Sequence, residues 1–210
     1  MRLLTSTSLS LAVLALASCG QTGSDPAIQL SDISGDWSLD ASSSKIAFAS
    51  IKVGELIETH YFPGLSGSMS ESGETVIDIP LDQVETKIDQ RNERMRSMFF
   101  QTDTYPTAQI RASVDPTAFA NLQIGGRIEA ELDAVLSLHG AESTVFANVF
   151  VTRIAPSRVE VATSEPVIVH VADHNLEAGL EALRDIAGLT DITPAVPVTF
   201  TFVFEAVNTG

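Results

Sequence analysis

"RIEAELDAVLSLHG", residues 127–140, alternates with a period of two. Ile128, Ala130, Leu132, Ala134, Leu136 and Leu138 fall on one face. Arg127, Glu129, Glu131, Asp133, Ser137 and His139 fall on the other, interrupted only by Val135. Successive side chains of a strand point to opposite sides, so the stretch predicts a β-strand with one dry and one wet face. "VPVTFTFVFEA", residues 196–206, repeats the pattern with Val198, Phe200, Phe202 and Phe204. Shorter alternating runs occupy 45–52, 75–81, 107–114 and 157–171. "STVFANVFVTRI", residues 143–154, is apolar on both faces and leaves its inward side open. Gly125-Gly126, "HGAES" at 139–143 and "APS" at 155–157 supply turn chemistry between the runs. Eight or so strands in succession with little helix between them predict an antiparallel all-β domain, sandwich or barrel. On this register Ile77, Ile79, Leu132, Leu136, Phe200 and Phe202 face one shared interior.

Two segments break the rhythm and predict one or two short helices. In "NLEAGLEALRDIAGL", residues 175–189, Leu176, Leu180, Leu183 and Ile186 line one helical face. Asn175 is placed to cap its start and Gly188 to end it, while Gly179 weakens it slightly. The other segment, "QVETKIDQRNERMRSMFF" at 83–100, holds helix-formers without alternation. Lys87, Arg91, Arg94 and Arg96 lie within ten positions of a chain that has 12 basic and 27 acidic residues in all. The bulky apolar residues Met95, Met98, Phe99 and Phe100 overlap and follow them. One reading is structural: the apolar side chains cover one end of the sheet and the arginines pair with carboxylates such as Glu93. Another makes Met95 and Phe99 the apolar edge of a cavity mouth, with Arg91 and Arg94 holding an anionic group bidentately. A protein-docking patch is the third.

"MRLLTSTSLSLAVLALASC" opens the chain with a single charge, Arg2, and an apolar run from Leu9 to Ala17. It reads as a secretory signal peptide, residues 1–18, ending in "LASC", which looks like a bacterial lipobox. Cys19 is the only cysteine and stands at the cleavage point, where its thiol can take a diacylglycerol. No intramolecular disulfide is then available, and stability must come from a core. Residues 19–35 are polar and turn-rich and read as a lipid-anchored flexible tether, leaving 36–210 as one domain. Removal of Arg2 leaves 11 basic against 27 acidic residues, a net charge of −16, which argues against nucleic acid and against attraction to anionic headgroups. The membrane is reached through the N-terminal acyl chains instead. Gly20 after Cys19 leans towards the outer membrane of a bacterial envelope, with the domain facing the periplasm.

Catalytic signals are missing from the sequence. There is no nucleophile elbow, phosphate loop or metalloprotease motif, and nothing calls for a cofactor. "HVADH" spaces His170 and His174 as a helical metal pair would be, but the first falls on a predicted strand and the second in a turn, so no metal site is assigned.

"DWSLDASSSKIAFASIK", "IDQRNERMRSMFF", "TYPTAQI" and the closing helix followed by "VPVTFTFVFEA" together resemble the YceI-like family, over about residues 36–207. Trp37, Leu39 and Asp40 match the family's opening, with Ser43 where a histidine is common. Arg91 and Arg96 match its central stretch, with Asn92, Arg94 and Met95 standing for Asp, His and Leu, and the Phe pair arriving one residue early. Tyr105, Pro106 and Ile110 match its Tyr-Pro strand entry. The resemblance implies an extended, lipocalin-like antiparallel barrel of about eight strands. It implies an apolar channel holding an isoprenoid or other long-chain lipid, polyprenyl or quinone-like. Ile77, Ile79, Leu132, Leu136, Phe200, Phe202, Met95 and Phe99 would line that channel, with Arg91 and Arg94 at its rim. The small residues Ala108, Ala112, Ala130 and Ala134 leave room inside. The alternative is a solid-core barrel acting as an interaction or stress-related envelope protein. The oligomeric state, a homodimer included, is left open.

Overall fold

The computed structural model describes residues 35–207. The expected signal peptide, Cys19 and almost all of the expected tether lie outside the described residues. The strands are β1 (Trp37–Leu39), β2 (Lys45–Lys52), β3 (Leu56–Phe62), β4 (Ser66–Met69), β5 (Glu74–Pro80), β6 (Thr107–Ser113), β7 (Arg127–Leu138), β8 (Ala141–Ala155), β9 (Arg158–Thr163), β10 (Val167–His170) and β11 (Ala195–Ala206). All pair antiparallel. β1 and β2 lie along one edge of β11, and β9 and β10 along the other. β3 and β4 follow one another against β2 and β1. Each of these three pairs acts as one interrupted strand, so the eleven segments form eight staves in meander order, closed where β11 meets β1. Closure settles the choice between sandwich and barrel, and it leaves few strand edges unpaired.

The long hairpin β7–β8 runs in register from Arg127↔Thr152 to Leu138↔Ala141. Its two-residue loop, His139 (φ 50°) and Gly140 (φ 75°), has positive φ at both positions. Such a loop matches the right-handed twist of the flanking strands. The ambiguous strand β8 turns Val145, Ala147, Val149 and Val151 inward and leaves Phe146 exposed. Arg153 follows them on the inward side and is only 1% exposed. Its guanidinium donates to the carbonyls of Leu122 (3.2 Å) and Pro156 (2.7 Å), sealing the barrel end at which Trp37 also sits.

The opposite end carries the two helices. α1 (Asp89–Arg94) continues into a π-helical turn over Met95–Phe100, and α2 (Glu177–Ile186) packs against that turn. Buried Asn92 anchors α1: its Oδ1 accepts from the backbone N–H (2.7 Å) and the hydroxyl (2.6 Å) of Thr86. Gly188, at φ 64°, ends α2 as expected: its N–H donates to the Asp185 carbonyl and that of Leu189 to the Arg184 carbonyl. Asn175 does not cap α2. It lies at φ 55°, closing the short turn Val171–His174, and Leu176 occupies the capping position without a side-chain bond. The expected run 157–171 is broken into β9 and β10. β3 and β4, which no alternating run marks, complete the barrel.

Candidate functional site

An apolar cavity of about 380 Å³ runs inside the barrel beneath the helical lid, in the range of small-molecule sites. Ile77, Ile79, Leu132, Leu136, Phe200 and Phe202 all line it. So do Met95, Phe99, Arg91 and Arg94 from α1 and its π turn, and Leu176, Leu180, Leu183 and Ile186 from α2. The lid packs through aromatic contacts: Phe99 meets Phe100 at 4.8 Å between ring centroids, and Phe100 meets Phe62 of β3 at 5.7 Å. Gly179 permits this packing, because a Cβ there would stand 3.0 Å from the Met98 carbonyl oxygen and from Phe99 Cα.

The mouth is polar because the inward faces of β2 and β3 change character along their length. On β2, Ile46 and Phe48 give way to Ser50 and Lys52; on β3, Phe62 is preceded by His60 and Glu58. Glu58 accepts from Lys52 Nζ and from Arg91 Nη1 (2.8 Å), and these two cations hold its carboxyl at about 2. Arg91 also donates to the Thr86 carbonyl at 2.7 Å. The Ser50 hydroxyl lies 2.9 Å from His60 Nε2, a diagonal contact between neighbouring strands. His60 stacks at a tilt on Phe48, 5.1 Å between ring centroids. Burial, and then the Arg91 charge, lower its pKa to about 4.

The four clustered cations therefore differ. Arg91 is engaged by Glu58 and Thr86, and Arg96 by Glu93 (3.1 Å). Lys87, at φ 64°, turns the chain into α1, and its backbone N–H donates to the Glu85 carboxylate. Arg94 lines the cavity with no hydrogen bond or ion pair to any described residue. His170 and His174 join no group of metal-ligating side chains among the described residues; His174 Nε2 instead lies 3.1 Å from the Ser143 hydroxyl.

The eight-stave closed barrel, lidded at one end over an apolar interior, matches the YceI-like domain along residues 37–204. The chain belongs to the YceI-like domain family. It is similar to a polyisoprenoid binding domain from Saccharophagus degradans implicated in plant cell wall breakdown, at 40% identity and a TM-score of 0.79, covering 81% of this chain and 98% of that one. Burkholderia cenocepacia BcnA shares the fold at 17% identity and a TM-score of 0.59, covering 79% of this chain and 98% of its own. No curated protein matches.

In this YceI-like barrel, sequence reading missed Ser50, Lys52, Glu58, His60 and Thr86. The signal was present on β2: the inward register that begins with Ile46 and Phe48 continues, unbroken, into Ser50 and Lys52. A polar residue on an inward face is more informative than an apolar one.

Proposed function

We propose that this YceI-like barrel binds an amphiphilic isoprenoid lipid, polyprenyl or quinone-like, with its chain in the cavity and its polar end at the lidded mouth. The observation that carries this reading is the cavity itself, lined mostly by apolar side chains, with a cluster of polar and charged groups at the lidded end where β2, β3 and α1 meet. The 40% identical polyisoprenoid binding domain supports it. No catalytic group is required, since each buried CH₂ contributes about 0.8 kcal/mol. Ile77, Ile79, Leu132, Leu136, Phe200, Phe202, Met95 and Phe99 contact the chain. Arg94 is the rim cation available to the polar end, while Arg91 chiefly holds the mouth together through Glu58. A cavity of this size favours lipid binding over a solid-core barrel acting only through its outer surface. Native mass spectrometry of the full chain purified from its host tests the reading: a hydrophobic mass of isoprenoid composition should co-purify, and a bare polypeptide mass after gentle extraction would count against it.

We propose further that the protein is anchored to a membrane. The lipobox ending at Cys19 supports acylation, and Gly20 favours the outer membrane, with the barrel facing the periplasm. Cys19→Ala should move the protein from the membrane to the soluble fraction or leave it unprocessed. Normal maturation with unchanged fractionation would refute the anchor.

A further inference from the structure

We propose that Ser50 and His60 form a polar subsite inside the cavity that hydrogen-bonds an uncharged oxygen, a carbonyl or a hydroxyl, at the polar end of the bound isoprenoid. This rests on the isoprenoid reading above and adds what the cavity recognises besides hydrocarbon. His60 is 4% exposed and lines the cavity. Its Nε2 is engaged by the Ser50 hydroxyl at 2.9 Å, while its Nδ1 is buried with no partner among the described residues. A buried ring nitrogen left unmet is costly, and one in a ligand cavity calls for a ligand atom. Nothing in the strand demands a histidine there, since the next inward position holds Phe62 in similar surroundings.

The chemistry of the pair sets the class of oxygen. The two cations beside it, Lys52 and Arg91, already share Glu58, which reduces the field available to an anion. Lys87 acts on His60 only at longer range, and Arg94 belongs to the lid. The shift of His60 to about 4 keeps its ring neutral at ordinary pH, with one nitrogen a donor and the other an acceptor. If the Ser50 hydroxyl donates to Nε2, Nδ1–H donates to a carbonyl, as on a quinone ring. In the other tautomer Nδ1 accepts from a hydroxyl, as on an isoprenol. Below the pair the inward face is Phe48, Phe62 and Ile46, so an oxygen held here directs the chain towards the sealed end.

The test uses the full chain as wild type, Ser50→Ala, His60→Leu and the double variant. Four probes of matched chain length are titrated: a prenylated benzoquinone, an isoprenol, an isoprenoid hydrocarbon and a polyprenyl phosphate. Wild type should prefer one of the uncharged oxygenated probes over the hydrocarbon, and which of the two it prefers identifies carbonyl or hydroxyl. The double variant should lose about two- to twelvefold in affinity for that probe, the worth of a neutral hydrogen bond, with hydrocarbon affinity unchanged. Its Tm should hold or rise, because removing both partners of a buried polar pair is close to neutral. The His60 ¹⁵N imidazole resonances of wild type should move with the oxygenated probe and not with the hydrocarbon, a readout that survives if the variants misfold. Equal loss for the hydrocarbon, or no preference for oxygen in wild type, overturns the subsite alone. So does a phosphate that binds tightest and is weakened by the variants. Failure of every probe to bind wild type overturns the isoprenoid reading and the subsite with it.

Discussion

Arg91 and Arg94 are three residues apart on one helix and meet different surroundings. Arg91 donates to Glu58 and to the Thr86 carbonyl and is mostly shielded, with its side chain 21% exposed against 40% for Glu58. Arg91→Gln should cost about 1 kcal/mol of stability, less than a fully buried charged pair because Glu58 reaches water and keeps Lys52. Arg94→Gln should leave stability within about 0.5 kcal/mol. Urea unfolding of the two variants reads this directly, and a larger loss from Arg94 would refute the assignment. His60 carries the pH dependence. Its ordinary value of 6.5 is lowered to about 4, so between those values the unfolded chain binds a proton that the folded chain excludes. Stability should be complete above about pH 6.5 and fall as the pH drops towards 4, by at most about 1.4 kcal/mol per unit from this residue. Glu58, lowered from 4.5 to about 2, continues the loss below pH 4.5, and His174 shifts in the same direction as His60. His60→Leu should flatten the limb between pH 6.5 and 4 in urea midpoints measured against pH; an unchanged limb would place the titration elsewhere.

Elements are joined here by close backbone approach as much as by side chains. α2 lies on the π turn at Gly179, where a Cβ would meet Met98 O and Phe99 Cα at 3.0 Å. In an exposed helix Gly→Ala gains about 1 kcal/mol. At Gly179 that gain should vanish, because the contacts are backbone and cannot rotate away. Gly179→Val should open the lid and cost about 1–3 kcal/mol. A Tm rise of several degrees in Gly179→Ala would show that the lid yields freely. β3 shows why element-level reading was incomplete. Its inward face carries Glu58 and His60 before Phe62, so the apolar alternation that marks β7 and β11 is absent, and pairing with β2 decides the strand.

The whole molecule is a closed barrel with a sealed end at Arg153 and a lidded end at α1 and α2. The small residue Ala134 is buried and lines the cavity from β7. Ala134→Phe adds a ring where there is room, so Tm should hold while isoprenoid affinity falls at least tenfold in titration. A loss of stability of about 1–3 kcal/mol instead would mean that the interior is packed at that height.

Alternation by itself determined the all-β class and the inward set Ile77, Ile79, Leu132, Leu136, Phe200 and Phe202, because a period of two leaves only two possible faces and charge excludes one of them. The spacing of Leu176, Leu180, Leu183 and Ile186 likewise determined α2 and the face it turns to the cavity. The closure of the sheet, the inward face of β8 with Arg153, and the meeting of Ser50, His60, Glu58 and Arg91 were decided only by the tertiary structure. Glu58 and Arg91 are 33 positions apart in the chain, and the bridge between Tyr61 of β3 and Glu85 brings α1 over the β2–β3 hairpin. The difference between Arg91 and Arg94 is of the same kind: two like charges one helical turn apart are indistinguishable in sequence until folding supplies one of them with a carboxylate.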